Sequence, residues 1–159
     1  MSNMKEPSRK AGHAGAEPQS GKAASARAAA GQFTLELNYT EQADRVIQEL
    51  SVSMGRDYQS FTTSKIRNIL AKVSEIYNDV LIEHDEVLSP DMQSRIEYLK
   101  VRLVYECGRE PRSVKLFVNK AGLLSLLNGI GDSRRNFIDF ARYMEALVAY
   151  HRFHGGKDS

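Results

Sequence analysis

Thr62-Thr63-Ser64-Lys65-Ile66-Arg67-Asn68-Ile69-Leu70-Ala71-Lys72-Val73-Ser74-Glu75-Ile76-Tyr77-Asn78-Asp79-Val80 is the most legible stretch of the chain. Ile66, Ile69, Leu70, Val73, Ile76, Tyr77 and Val80 recur at spacings of three and four, which collects them on one side of an α-helix. Thr62 to Ser64 offer N-cap hydroxyls at its start. A helix with one apolar face needs something to cover that face, so the rest of the fold follows from what lies on either side.

Upstream, Ala43, Val46, Ile47, Leu50 and Met54 repeat the same spacing between Thr40 and Met54, and Gly55 ends the pattern. Downstream, Ser89-Pro90 reads as an N-cap and first-turn pair, since proline has no N–H to lose there. This third helix is expected to run to Cys107, with Gly108 stopping it. Ser113 caps a fourth, carrying Val114, Phe117, Val118, Ala121 and Leu124, with Leu123, Leu126 and Leu127 widening its face until Gly129. Gly122 inside it weakens the helix slightly. Asp132 or Ser133 caps a fifth, whose stripe is Phe137, Phe140, Ala141, Met144, Leu147, Val148 and His151, ended by Gly155 and Gly156. Phe33, Leu35, Leu37 and Tyr39 alternate as in a strand, but a lone strand has no partner, so an extended segment lying on the bundle is expected. The fold class is therefore all-α, a compact five-helix bundle with short connections and no internal repeat.

At 159 residues the chain suffices for one folded domain. Its 42% hydrophobic and 26% charged content is ordinary globular usage. No run approaches 18 consecutive apolar residues, which excludes a spanning helix and a membrane partner of that kind. The single cysteine, Cys107, has no intramolecular partner and reads as a small buried hydrophobe, which suits a reducing cytoplasm. Residues 1–32 hold five basic and two acidic side chains and no Val, Ile, Leu or aromatic residue. Such a composition cannot offset the entropy of ordering, so this Ala/Gly/Ser-rich basic stretch reads as a disordered tail before a helical domain at 33–157. Cytoplasmic location is expected, because the stretch lacks the apolar centre of a secretory signal. The remaining 127 residues carry 17 basic and 18 acidic side chains. Nucleic-acid binding would therefore need a patch.

Chemistry-bearing constellations are sparse. His151 and His154 are three apart, but no carboxylate or cysteine is spaced to complete a metal site with them, and they read as a core-edge histidine and a helix-end cap. Asn128-Gly129-Ile130-Gly131-Asp132 reads as a helix stop and restart rather than a phosphate cradle. No serine stands in a nucleophile-elbow context and no carboxylate pair is placed for acid/base work, so neither an enzyme nor a cofactor is expected. What remains is cationic. Lys65 and Lys72, seven apart, differ by only about 20° around the second helix and form a short row at the edge of its stripe. Arg135 and Arg142 have the same spacing on the fifth helix and point away from its apolar face. Two turns separate each pair by roughly 10 Å, a distance over which side chains meet different phosphates of one strand.

Several strings resemble the small helical subunit of the type III-A CRISPR effector (Csm) complex. They are Thr62-Thr63-Ser64-Lys65-Ile66-Arg67-Asn68-Ile69-Leu70, then Tyr98-Leu99-Lys100-Val101-Arg102-Leu103-Val104-Tyr105 leading to Gly108-Arg109-Glu110, then Ile130-Gly131-Asp132-Ser133-Arg134, and Arg142-Tyr143-Met144-Glu145-Ala146-Leu147-Val148-Ala149-Tyr150. They span about residue 39 to residue 157. The resemblance implies a non-catalytic five-helix protein that stacks in several copies against the backbone subunits, beside the large subunit, and contacts guide and target RNA. It brings Arg67 into the Lys65 and Lys72 row and draws in Arg142, whereas Arg135 rests on helical phase alone. Lys100, Arg102 and Arg109 read equally well as salt-bridged structural groups. Two rival classes stand beside it. A small DNA-binding regulator would use Gly129 to Ser133 as its turn, with Arg134, Arg135 and Asn136 opening a recognition helix. A self-associating scaffold would bind no nucleic acid.

Overall fold

The computed structural model describes residues 33–159, and the disordered-tail expectation for residues 1–32 lies outside them. Six helices are present among the described residues: α1 (Tyr39–Met54), α2 (Thr63–Ile82), α3 (Pro90–Arg109), α4 (Val114–Lys120), α5 (Leu123–Asn128) and α6 (Arg134–Phe153). A 3-10 turn at Gly55–Ser60 joins α1 to α2. There is no strand among these residues, only an isolated antiparallel bridge between Val87 and Ser133. The all-α expectation holds.

α6 packs against both α1 and α2, and α3 closes over α2 and α4. The stripes read from the sequence are the faces that meet: Ile66, Ile69, Val73, Ile76 and Val80 from α2, and Phe137, Phe140, Met144, Leu147 and His151 from α6, are buried. Ser89 and Ser133 act as the expected caps, accepting from the backbone N–H groups of Met92 and Asn136. Thr62 does not. The N–H groups of Thr63 and Ser64 instead donate to the carbonyls of Lys157 (2.7 Å) and Asp158 (3.3 Å), so the C-terminal segment caps α2. Gly156 fits beneath His151, where any Cβ would collide with the imidazole.

The third helix runs through Gly108 to Arg109 and stops at Glu110. Pro111 explains this, because the residue before a proline is pushed out of the α region, and Glu110 sits at φ −127°, ψ 65°. The fourth expected helix is broken in two. Gly122 adopts φ +65°, a left-handed conformation that ends α4 and starts α5. The Phe33 ring occupies the space a Cβ at Gly122 would need. Phe33 belongs to the extended segment before α1, which lies on the bundle as expected. The buried carboxamide of Gln42 clasps that segment, its Nε2 donating to the Thr34 carbonyl and its Oε1 accepting from the Glu36 N–H, both at 2.9 Å. Beneath Phe33, the buried Tyr143 hydroxyl donates to the Ala121 carbonyl at 3.0 Å, satisfying a backbone acceptor at the break.

Candidate nucleic-acid interface

A groove runs between α2 and α3 as two adjoining hollows of about 240 and 300 Å³. Lys72, Leu99 and Arg102 line both. Lys65 and Arg109 line the first, Arg95 the second, while Glu106, Glu110 and Glu75 bring opposite charge to the same walls. The Lys65 and Lys72 row of the sequence reading is therefore one wall of a groove. Its two members differ in state. The Lys65 ammonium donates to Glu110 Oε2 at 3.0 Å, and that hydrogen bond, with a second from Ser113, holds the Glu110 carboxyl below its ordinary range. Lys72 makes no ion pair among the described residues.

Arg67 does not share this row. It lies 200° around α2 from Lys65 at 100° per residue, outside both hollows, and its guanidinium approaches the Asp158 carboxylate of the C-terminal segment at 3.7 Å. Asp158 also meets Arg152 at 3.4 Å. The grouping of Arg67 with Lys65 and Lys72 is thus corrected by helical phase: two residues along a helix is most of the way to its other side.

The residues left open as structural groups divide. Lys100 pairs with Glu97 at 2.6 Å and Arg109 with Glu106 at 3.3 Å, both within α3. Arg102 has no ion pair among the described residues, and its Nε is buried without a hydrogen-bond partner. A buried donor left open beside a cation-lined hollow is costly unless an acceptor reaches it, which makes Arg102 the strongest cationic candidate that spacing alone did not single out.

Arg135 and Arg142 are both solvent-exposed on α6, as their phase requires. Arg135 stands 3.9 Å from Asp139 one turn on, a loose exposed pair, and Arg142 makes none among the described residues. Neither lines the groove. Arg134 is committed elsewhere, its Nε donating to the Val80 carbonyl at 3.1 Å near the end of α2.

The remaining reactive groups serve packing. Cys107 is buried, and burial pushes its thiol up, away from the thiolate a nucleophile needs. His151 is fully buried between Tyr58 and Phe61, its Nδ1 3.0 Å from the Thr63 hydroxyl, and burial depresses its pKa. The His154 ring meets Asp44 and sits at the end of α6. Among the described residues no three His, Cys, Asp or Glu side chains are grouped to hold a metal ion, and no helix is long and apolar enough to cross a membrane.

Fold and groove together define a small all-α protein with a groove between two helices that carries lysine and arginine side chains interspersed with glutamates. The sequence model of the Csm2 Type III-A family matches residues 40–157, and the chain belongs to that family. Among curated relatives, the CRISPR system Cms protein Csm2 of Enterococcus italicus is 33% identical over 126 residues, covering 76% of this chain and 89% of the relative. The protein of the same name from Streptococcus thermophilus is 40% identical over 121 residues, 76% of this chain and 94% of its own. That of Mycobacterium tuberculosis (strain H37Rv) is 40% identical over 97 residues, 61% and 77% respectively.

Proposed function

We propose that the chain is a non-catalytic small subunit of an RNA-guided type III-A CRISPR surveillance complex, acting in the cytoplasm in antiviral defence. In this reading several copies stack against the backbone subunits, near the large subunit, and touch guide and target RNA through phosphates without reading bases. Family membership supports the assembly. The observation that carries the RNA contact is the pair Lys72 and Arg102, two cations on one groove with no carboxylate among the described residues holding either. Lys65 joins them by exchanging Glu110 for a phosphate, while Arg142 and Arg135 extend the cationic surface on α6, and Arg67 contributes only when Asp158 lets go. Contacts of this kind position a strand and carry no sequence information, so guide pairing supplies specificity.

The test is an assembled complex carrying Lys72→Glu with Arg142→Glu. Neither side chain has an ion pair among the described residues, so melting of the isolated chain stays within a degree or two of wild type. Retention of target RNA falls, and the dependence of log affinity on log salt becomes shallower by about 1.4 for each copy in contact with the strand, or about 0.7 per lost contact. Full retention with an unchanged salt slope removes these faces from the RNA path.

A further inference from the structure

Phe153 closes α6 and is 77% exposed, more than any other aromatic side chain among the described residues. Two neighbouring rings hold it. Tyr150 and His154 lie with their planes 25° from parallel, and Phe153 meets both nearly at right angles, at 6.3 Å and 5.1 Å between centroids. His154 is in turn tied to Asp44 of α1. The phenylalanine ring is therefore braced on the protein side and open toward solvent.

Helical phase places this ring in a row. Arg142 and Phe153 are eleven residues apart and differ by only about 20° around α6, as Arg135 and Arg142 do. Ala149 falls in the same row, and all four side chains are exposed. From the start of the helix the row thus presents two arginines, a small residue and an aromatic ring, with a rise of about 16 Å between Arg142 and Phe153. The carboxylates of Asp139 and Glu145 flank it by roughly 60° to either side. The helix dipole agrees with the order: phosphates are favoured toward the N-terminal end, whereas the last carbonyls repel them and suit a neutral group.

Size decides what that neutral group is. The open part of one phenylalanine offers on the order of 150 Å², far below the roughly 800 Å² per partner of a stable protein interface. The other members of its row are charged or small, so no apolar patch extends it. A single nucleobase matches a ring of this size, and such stacking tolerates sequence because every base has a π face. We propose that Phe153, braced by Tyr150 and His154, stacks an unpaired base of an RNA strand whose phosphates run along Arg142 and Arg135. This rests on the RNA contact proposed above and adds a base to it without reading that base's identity.

The test is an assembled complex holding target RNA with 5-iodouridine at successive positions, irradiated in the near ultraviolet so that a base stacked on an aromatic ring is joined to it, with mass spectrometry locating the joined residue. Crosslinks to Phe153 are expected at a subset of positions. Phe153→Trp keeps crosslinks at those positions, while Phe153→Leu loses them and leaves the melting temperature of the isolated chain unchanged, because the ring is exposed. Crosslinks to other residues of the chain with none on Phe153 overturn the stacking site and leave the RNA contact standing. No crosslink to any residue of the chain, in complexes that hold the RNA, overturns both. A wild-type complex without Phe153 crosslinks whose Phe153→Leu counterpart incorporates fewer copies of the chain overturns the stacking site in favour of a protein contact.

Discussion

Gly122→Ala separates two costs at the break between α4 and α5. A left-handed φ of +65° costs an alanine about 1 kcal/mol relative to glycine, because its Cβ crowds the following carbonyl. The second cost is spatial: the new methyl enters the Phe33 ring, which has to leave its place on Tyr143. Removing a fully buried phenylalanine costs about 3–5 kcal/mol, and Phe33 is only half-buried, so displacing it forfeits about 1–2 kcal/mol. Gly122→Ala is therefore expected to destabilise by about 2–3 kcal/mol in urea unfolding followed by far-UV circular dichroism. In a Phe33→Ala background the space is already empty and only the backbone strain remains. The substitution then costs about 1 kcal/mol, and the cycle shows a coupling of about 1–2 kcal/mol. Equal costs in the two backgrounds would mean that Phe33 does not occupy that space in solution. A cost below about 0.5 kcal/mol in both would mean that glycine is not what breaks the helix.

Three further outcomes follow from named contacts. Glu110→Gln frees Lys65 and is expected to steepen the salt dependence of RNA retention by about 0.7 for each copy in contact with the strand; by urea unfolding it costs no more than about 1 kcal/mol, the range of an exposed pair. Deleting residues 157–159 uncaps the N–H groups of Thr63 and Ser64 and is expected to cost about 1–2 kcal/mol by urea unfolding, whereas Asp158→Asn keeps the carbonyl caps and changes stability little. Burial depresses the His151 pKa, so the unfolded chain binds a proton that the folded chain refuses. Stability from this group is full above the ordinary histidine value near 6.5 and declines as pH falls below it. Urea midpoints measured from neutral to mildly acidic pH show the decline, and His151→Gln flattens it.

Much of the architecture was legible because it is written in local spacing. The stripe on α2, the Ser89-Pro90 start of α3 and the Ser133 cap of α6 depend on residues within a few positions of one another. The break at Gly122 was not, since its neighbourhood is a continuous apolar run and the ring that demands glycine is Phe33, 89 positions earlier. The same distinction divides the candidate site. Lys65 and Lys72 share a flank by phase alone, which sequence shows. That Arg67 meets Asp158, and that Arg102 faces Lys72 across a groove wall, depends on how the C-terminal segment and α3 pack on α2. Periodicity gives each helix a face but not a neighbour.

The paired and unpaired cations have different consequences for the proposed role. When a phosphate takes Lys65 or Arg67 it displaces Glu110 or Asp158, and the released carboxylate stays nearby as a repelling charge, so the net gain is small. Lys72, Arg102 and Arg142 have no such competitor among the described residues. If these three supply one copy's contacts, its salt slope is about −2, which at physiological ionic strength describes weak and readily screened binding. One copy alone would then hold RNA poorly. Copies aligned on a single strand multiply such contacts, because each later contact forms at the high effective concentration set by the first. On this reading, a cationic surface that is modest in one chain becomes effective through repetition, and a domain whose core region carries no net excess of positive charge avoids binding stray nucleic acid before assembly.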